Sequence, residues 1–334
     1  MSFASEIISV GMCVPDRVIT NNDLSQWMET SDEWITQRSG IKERRWVDAN
    51  TTTSDLGLKA SLQAIEAAKI SKEEIDLIIV TTISGDHDFP GTACFLQTKL
   101  GLSGCAALDI RQACSGFIYG LSIADQFIKS GMYKTVLLVG AEVQSKGLDL
   151  SNNGRDIAVL FGDGAGAVVM RRTDVNNSSR VLSTHLHADG AFAEDLWIPG
   201  PGMNLGAKRV SPEMLAEGLH FPKMNGKKVF AHAIRRMAEV IHETLAHNKV
   251  TINDVDLFLF HQANMRINEM VAQELKIPPE KVLNTIQYYG NTTAATIPIG
   301  MYEAQKKGML KKGSLVASAA FGSGFAWGGA LYRW

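Results

Sequence analysis

Cysteine is scarce in this chain. Four thiols occur in 334 residues, at Cys13, Cys94, Cys105 and Cys114, and no C-x-x-C pair is among them. That excludes a disulfide framework and leaves no ligand set for a structural zinc. No apolar run approaches the ~20 residues that a membrane-crossing helix needs, so no membrane partner is expected. The opening M-S-F-A-S-E-I-I-S-V-G lacks the basic start and long apolar stretch of a secretory signal, which points to a cytoplasmic setting. A dominant charge is also missing. The formal net charge is -2, so no global field draws the chain to nucleic acid, and only local basic groupings remain, as at Lys227, Lys228, Arg235 and Arg236. What the chain does have is apolar bulk, 45% of its residues, enough for one large core or two fused halves.

The halves are written into the sequence as a repeat. Residues 62–80 (L-Q-A-I-E-A-A-K-I-S-K-E-E-I-D-L-I-I-V) and 242–260 (H-E-T-L-A-H-N-K-V-T-I-N-D-V-D-L-F-L-F) share one order. Each has a helix, a short polar turn, and an Asp leading into an apolar strand. Continuous apolar strands suit a sheet covered on both faces. K-T-V-L-L-V-G-A (134–141) resembles G-S-L-V-A-S-A-A (313–320), and F-G-D-G-A-G-A-V-V-M (161–170) resembles F-G-S-G-F-A-W-G-G-A-L-Y (321–332). The helix ends K-S-G (129–131) and K-K-G (306–308) align at an offset of 177, which carries Cys114 onto Asn291. The expectation is an α/β protein of two similar halves, 1–175 and 176–334, with the boundary in the polar stretch 171–180. Residues 189–226, rich in Gly, Pro and Met, read as an inserted surface loop with one short helix at 211–218.

Three stretches carry candidate chemistry. In D-I-R-Q-A-C-S-G-F-I-Y-G-L (109–121), a strand ends at Ile110. Phe117, Leu121, Ala124 and Ile128 then recur at helical spacing, so Cys114 sits where strand turns into helix. The helix dipole there favours thiolate, and the following N–H groups are placed to hold an oxyanion; a packed core thiol is the alternative. In F-L-F-H-Q-A-N-M-R-I (258–267), an apolar strand runs into His261, where open α/β sheets place ligands; a satisfied core histidine is the alternative. In Q-Y-Y-G-N-T-T-A-A-T-I-P (287–298), Gly290 permits a tight corner and Asn291 opens a helix, as an N-cap or as the counterpart of Cys114. Three corners would then meet between the halves. F-G-D-G-A-G-A lacks dinucleotide-loop spacing and reads as a structural turn. H-L-H (185–187) has no Cys or carboxylate neighbour in sequence to complete a metal site.

A-C-S-G-F, H-Q-A-N-M-R-I and G-N-T-T-A-A together resemble the three signatures of the β-ketoacyl-acyl-carrier-protein synthase III family. T-S-D-E-W-I-T-Q-R-S-G-I-K-E-R-R (30–45), F-G-D-G-A-G-A and the ending F-G-S-G-F-A-W-G-G-A-L resemble it too, in order along nearly the whole chain. The resemblance implies a duplicated thiolase-type fold of five αβαβα layers and a homodimer. It implies Cys114 as nucleophile with His261 and Asn291 as partners, and an oxyanion hole from the backbone N–H groups of Cys114 and Ser323. An acyl-CoA primes Cys114, and malonyl-acyl carrier protein extends the acyl group with loss of CO2. CoA thioesters are substrates; no cofactor and no metal is implied. For CoA the pattern points to Thr30, Trp34, Arg38, Arg155, Gly226 and Asn264. For the carrier protein it points to Gln262, Ala263, Asn264, Met265 and Arg266. For the acyl pocket it points to Phe89, lent by a dimer partner, and to Gln144.

The chain departs from that pattern in a longer 189–226 stretch, in Gln144 where an apolar residue is usual, and in Ser323 in place of a glycine. These leave the primer open among acetyl, longer, branched and aromatic acyl groups. The competing readings are a family member that transfers acyl groups without decarboxylation, a non-catalytic carrier-protein binder, and a cysteine hydrolase. The absence of a second cysteine near His261 or Asn291 favours decarboxylation over the proton abstraction of thiolases.

Overall fold

The computed structural model describes residues 3–206 and 208–334. The first sheet contains Phe3–Cys13 (β1), Leu77–Thr81 (β2), Ala106–Ile110 (β3), Thr135–Glu142 (β4) and Gly164–Asp174 (β5), in the order β1-β5-β4-β2-β3. β2 runs parallel to both β3 and β4; β5 is antiparallel to β1 and β4. Its helices are Asp32–Ser39 (α1), Thr53–Ala68 (α2), Thr92–Lys99 (α3) and Gly116–Lys129 (α4). The second sheet contains Arg180–Ala188 (β6), Leu257–Phe260 (β7), Leu315–Gly322 (β8) and Ala326–Arg333 (β9), in the order β7-β8-β9-β6. Its helices are Gly226–His247 (α5), Met265–Glu274 (α6) and Thr296–Lys306 (α7). β6, β9, β8 and β7 repeat β1, β5, β4 and β2. The counterpart of β3 shrinks to a single parallel bridge, Val282 to Phe258.

Strand periodicity explains the layers. Successive side chains point to opposite faces of a sheet. Leu77 and Ile79 of β2, Leu138 of β4, Leu257 and Leu259 of β7 and Val316 of β8 join Phe117, Leu121, Ile297 and Met301 in a middle core. The intervening Ile78, Val80, Leu137 and Val139 pack outward against Leu56, Ala60 and Ala64 of α2 and Leu96 of α3. Phe258, Phe260, Ala317 and Ala319 pack outward against Met237, Ile241 and Leu245 of α5 and Val271 of α6. The result is five layers: helices, sheet, the α4 and α7 pair, sheet, helices. The continuous apolar strands expected from the sequence serve two cores each.

The chain leaves the first sheet at Asp174 and enters the second at Arg180. The 189–226 stretch holds the expected short helix as Pro212–Ala216, and its ends, Leu196–Trp197 and Lys223–Met224, pair as a small antiparallel ribbon. Leu138 is fully buried in the middle core. Leu138→Ala is expected to cost about 2–5 kcal/mol, read as a lowered urea midpoint with an unchanged slope.

Candidate active site

Two matched corners build the site. Ahead of α4 the backbone at Ala113 takes φ +45°, and ahead of α7, at the equivalent place in the second half, Thr293 takes φ +50°. This left-handed conformation is uncommon for a residue with a side chain and turns each strand end sharply into a helix. Cys114 follows Ala113 directly, and Asn291 stands two residues before Thr293. Each half then seats the other's corner residue. The Asn291 N–H donates to the Leu160 carbonyl at 2.8 Å, and Gly162 N–H donates to the Asn291 carbonyl at 3.1 Å. Gly322, which ends β8, lies against Cys114, where a Cβ would stand 2.7 Å from the Cys114 Cβ. The F-G-D-G turn is structural, as read. Its Asp163 carboxylate accepts from the N–H groups of Val47, Gln144 and Ser145.

His261 continues β7, its N–H donating to the Ala319 carbonyl at 2.9 Å. Its Nδ1 pairs with Thr296 Oγ1 at 2.8 Å, and its buried Nε2 has no protein partner among the described residues. The Asn291 Oδ1 accepts from Thr293 N–H at 2.8 Å, which leaves the amide NH2 free in the cavity that Cys114 also lines. Cys114, His261 and Asn291 line one cavity of about 100 Å³ whose other walls are largely apolar, among them Leu196, Met224, Phe230, Met237, Ile267 and Phe321. Leu160, Met224, Gly226, Phe230 and Asn264 also line an outer cavity of about 470 Å³ that holds Trp34, Arg38 and Arg266. The two form a tunnel from the surface to Cys114.

Depth of burial opposes the thiolate that a helix start favours at Cys114. Burial pushes the Cys114 thiol up to about 12, and the carboxylate of Glu142 pushes the same way; the Cys114 backbone N–H and the Asn291 amide only partly offset this. The short helix-start field is outweighed by loss of water around the charged form. Burial also holds His261 down to about 3, so its imidazole is neutral. Glu142, missed in the sequence, ends the buried β4. Burial raises it to about 7 against donors from Thr82, Ser84 and Ile83.

The outer residues are arranged as follows. Ser31 caps α1 by accepting from Trp34 N–H, and Trp34 and Arg38 share one face at a spacing of four. The guanidinium groups of Arg38 and Arg155 lie 4.3 and 4.8 Å from the Trp34 ring centre, and Arg155 also donates to the Glu29 carbonyl. The Thr30 hydroxyl is buried and has no partner among the described residues. Asn264 donates to the Arg38 carbonyl and accepts from Arg266 N–H, so its amide braces the tunnel wall. Gly226 opens α5 with room around its Cα.

Several assignments need correction. Gln262 is buried, donates to the Phe260 carbonyl and accepts from the N–H groups of Thr285 and Ile286, so it pins a loop and offers nothing to a carrier protein. Ala263 and Asn264 line the tunnel, and Met265 packs against Gly40. Of that segment, Arg266 is exposed. Gln144 does not border the Cys114 cavity, and Phe89, expected there only from a partner copy, stands away from it within its own chain. Gln144 donates to Glu142 and to the Thr293 hydroxyl, and Phe89 is 83% exposed on a separate cleft. The Ser323 hydroxyl donates to the Leu196 carbonyl and ties the 189–226 stretch to the turn after Gly322. That stretch is therefore a tunnel wall, through Leu196 and Met224, as well as a surface loop. His185 and His187 both pair with Glu243, a partner distant in sequence. Among the described residues no group of three His, Cys, Asp or Glu is placed to hold a metal, and no helix is long and apolar enough to cross a membrane.

Solved structures with the same architecture define the fold as thiolase-type. The 3-oxoacyl-(acyl-carrier-protein) synthase III of Aquifex aeolicus VF5 superimposes with a TM-score of 0.89 at 43% identity, over 99% of this chain and 100% of that one. The synthase III of Pseudomonas aeruginosa PAO1 gives 0.90 at 33%, over 99% and 98%. Models of 3-oxoacyl-(acyl-carrier-protein) synthase III and of its C-terminal part match residues 108–190 and 245–334. The β-ketoacyl-(acyl-carrier-protein) synthase III of Xanthomonas euvesicatoria pv. vesicatoria is 45% identical over 331 residues, 99% of this chain and 98% of its own, and that of Methylococcus capsulatus is 43% identical over the whole of both chains. This chain belongs to the β-ketoacyl-acyl-carrier-protein synthase III family.

The protonation reading is checked by alkylation. Below its pKa the thiolate fraction rises about tenfold per pH unit, so Cys114 alkylation by iodoacetamide is expected to keep accelerating past pH 9. A plateau near pH 7 would show a thiolate already formed at rest.

Proposed function

We propose that the chain is a β-ketoacyl-acyl-carrier-protein synthase III that carries an acyl primer from acyl-CoA on Cys114 and condenses it with malonyl-acyl carrier protein. The observation that carries this reading is the convergence of Cys114, His261 and Asn291 on the closed end of one apolar tunnel. Attack by Cys114 sulfur exchanges one thioester for another, which splits a difficult condensation into two steps. Loss of CO2 from the malonyl thioester leaves an enolate. Its oxygen is placed to receive hydrogen bonds from the Asn291 amide and from His261. The enolate carbon attacks the acyl group, and the backbone N–H groups of Cys114 and Ser323 hold the oxyanion that forms.

The outer cavity supports CoA as the carrier of the primer. Adenine takes a place against the Trp34 face by displacing Arg155, and the freed guanidinium meets phosphate. Arg266, exposed beside the mouth, faces an acidic carrier protein. Gly226 and Asn264 border the pantetheine path.

A homodimer is supported by β3. This edge strand is only half buried, with Leu108 36% exposed, and an unpaired edge is a template for another strand. Phe89 and Met203, 83% and 84% exposed, stand over the adjoining cleft with Asp109 and Arg111. Phe89 then reaches the acyl pocket of the second copy. The reading places the enzyme in the cytoplasm, at the start of fatty acid synthesis.

Intact-protein mass after exposure to acyl-CoAs, from acetyl through branched to long chains, tests the assignment. Cys114→Ala is expected to abolish the mass gain. His261→Ala and Asn291→Ala are each expected to lower CO2 release from malonyl-acyl carrier protein by roughly 10²-fold or more. A gain confined to long or unusual chains moves the protein to a specialised pathway. Loading without CO2 release makes it a simple acyl transferase.

A further inference from the structure

The two ends of a side-chain amide have nearly the same shape, so its neighbours must decide which end faces where. Two amides close to Cys114 are decided in this way. Thr293 N–H can only donate, so the atom of Asn291 that meets it at 2.8 Å is Oδ1, and the NH2 end turns into the cavity. The hydroxyls of Ser84 and Thr82 accept from the N–H groups of Val143 and Ser84 and donate onward to the Glu142 carboxylate. The end of Gln144 that meets the same carboxylate, at 3.1 Å, is therefore Nε2, and its second proton goes to the Thr293 hydroxyl at 3.0 Å. Backbone groups close the circuit. Gln144 N–H donates to the Asp163 carboxylate at 2.7 Å, and Gly162 N–H, beside Asp163 in the chain, donates to the Asn291 carbonyl at 3.1 Å. One ring through Gln144 thus grips Asn291 at both its side chain and its backbone. Glu142, Asn291 and Thr293 are buried, so a broken link leaves polar groups unpaired. Thr293 also needs holding. Its φ of +50° is a strained conformation for a β-branched residue and persists only where the surroundings fix it. Thr296 holds its carbonyl, and among the described residues Gln144 holds its side chain.

We propose that Gln144 is a positioning residue for the decarboxylation step, fixing the Asn291 amide through Thr293 so that its NH2 faces the malonyl enolate. For its reaction this rests on the condensing-enzyme reading above; the orientation of the amide does not. Gln144 touches no substrate and no bond changes on it. A reversed Asn291 amide would set Oδ1 against the enolate oxygen, two acceptors face to face. A freely turning amide would offer its donor for only part of the time. Acyl loading makes no such demand, because the oxyanion of that step is held by the backbone N–H groups of Cys114 and Ser323. Gln144 therefore separates the two half-reactions: the enolate step depends on it and loading does not. This also accounts for a polar residue at a place where the family resemblance implies an apolar wall. Its side chain turns away from the Cys114 cavity and toward Thr293.

Single-turnover measurements on the full chain separate the two steps. Gln144→Met removes the donor at similar length, and Thr293→Val removes the acceptor at similar shape. Each is expected to load at the parent rate from acetyl-CoA, or from whichever acyl-CoA of the panel above loads best. Each is expected to slow CO2 release from malonyl-acyl carrier protein, per loaded enzyme, roughly 10-fold with KM unchanged, a part of the usual worth of one placed donor. Thr293→Ser keeps the hydroxyl and is expected to match the parent. Gln144→Met combined with Thr293→Val is expected to be no slower than either alone, because both open the same link. In the chain labelled with 15N-asparagine, the Asn291 NH2 signals are assigned by their loss in Asn291→Asp. They are expected to be one sharp pair in the parent and broadened or doubled in Gln144→Met. Parent-like CO2 release by Gln144→Met, an equal fall in its loading rate, or multiplied effects in the double variant overturns the proposal. A parent that loads no acyl group, or releases no CO2, overturns the condensing-enzyme reading, and the 15N spectra then decide whether Gln144 holds Asn291.

Discussion

The site depends on reciprocal seating across the two halves. The Phe161–Gly162 turn of the first half holds Asn291, and the Phe321–Gly322 turn of the second lies on Cys114. Neither half contains a complete corner. Because the first turn leads into β5 and the second ends β8, strands whose residues alternate between two cores, a shift of either sheet moves the corner residue of the other half. Burial follows from the same contact, since the corners lie where the halves face each other.

That burial sets the chemistry. A neutral thiol beside a neutral imidazole is what desolvation imposes on Cys and His alike, because each loses its charged form when water is removed. Glu142 belongs to this arrangement as a brace. Its oxygens gather Thr82, Ser84, Ile83 and Gln144, and Gln144 reaches on to Thr293 beside Asn291.

Much of the architecture was legible in the sequence. Duplicated strand and helix patterns carry a period, and the offset that aligned K-S-G with K-K-G also aligned Cys114 with Asn291. Residues whose role is set by tertiary contact were not legible. Gln262 follows a strand end beside His261, and nothing local distinguishes a polar pin from a docking contact. Leu196 and Met224 look like loop apolars until the ribbon folds them over the tunnel. Thr296 lies within a helix start and gains meaning only because β7 delivers His261 to it. Glu142 had a signal, an acid ending an apolar strand, that spacing arguments about Cys114 pass over. The choice between thiolate and packed thiol at Cys114 stayed open in the sequence because a helix start is visible in one dimension and depth of burial is not.

The apolar lining around Cys114 has a consequence for whatever enters. A malonyl carboxylate led down that tunnel gives up its hydration shell and finds few groups to replace it. Departure of CO2 removes the exposed localised charge and leaves one spread over an enolate. The walls themselves, by what they fail to solvate, then tilt the bond toward breaking. Hydrophobic side chains with no functional group would be participants in the reaction's energetics.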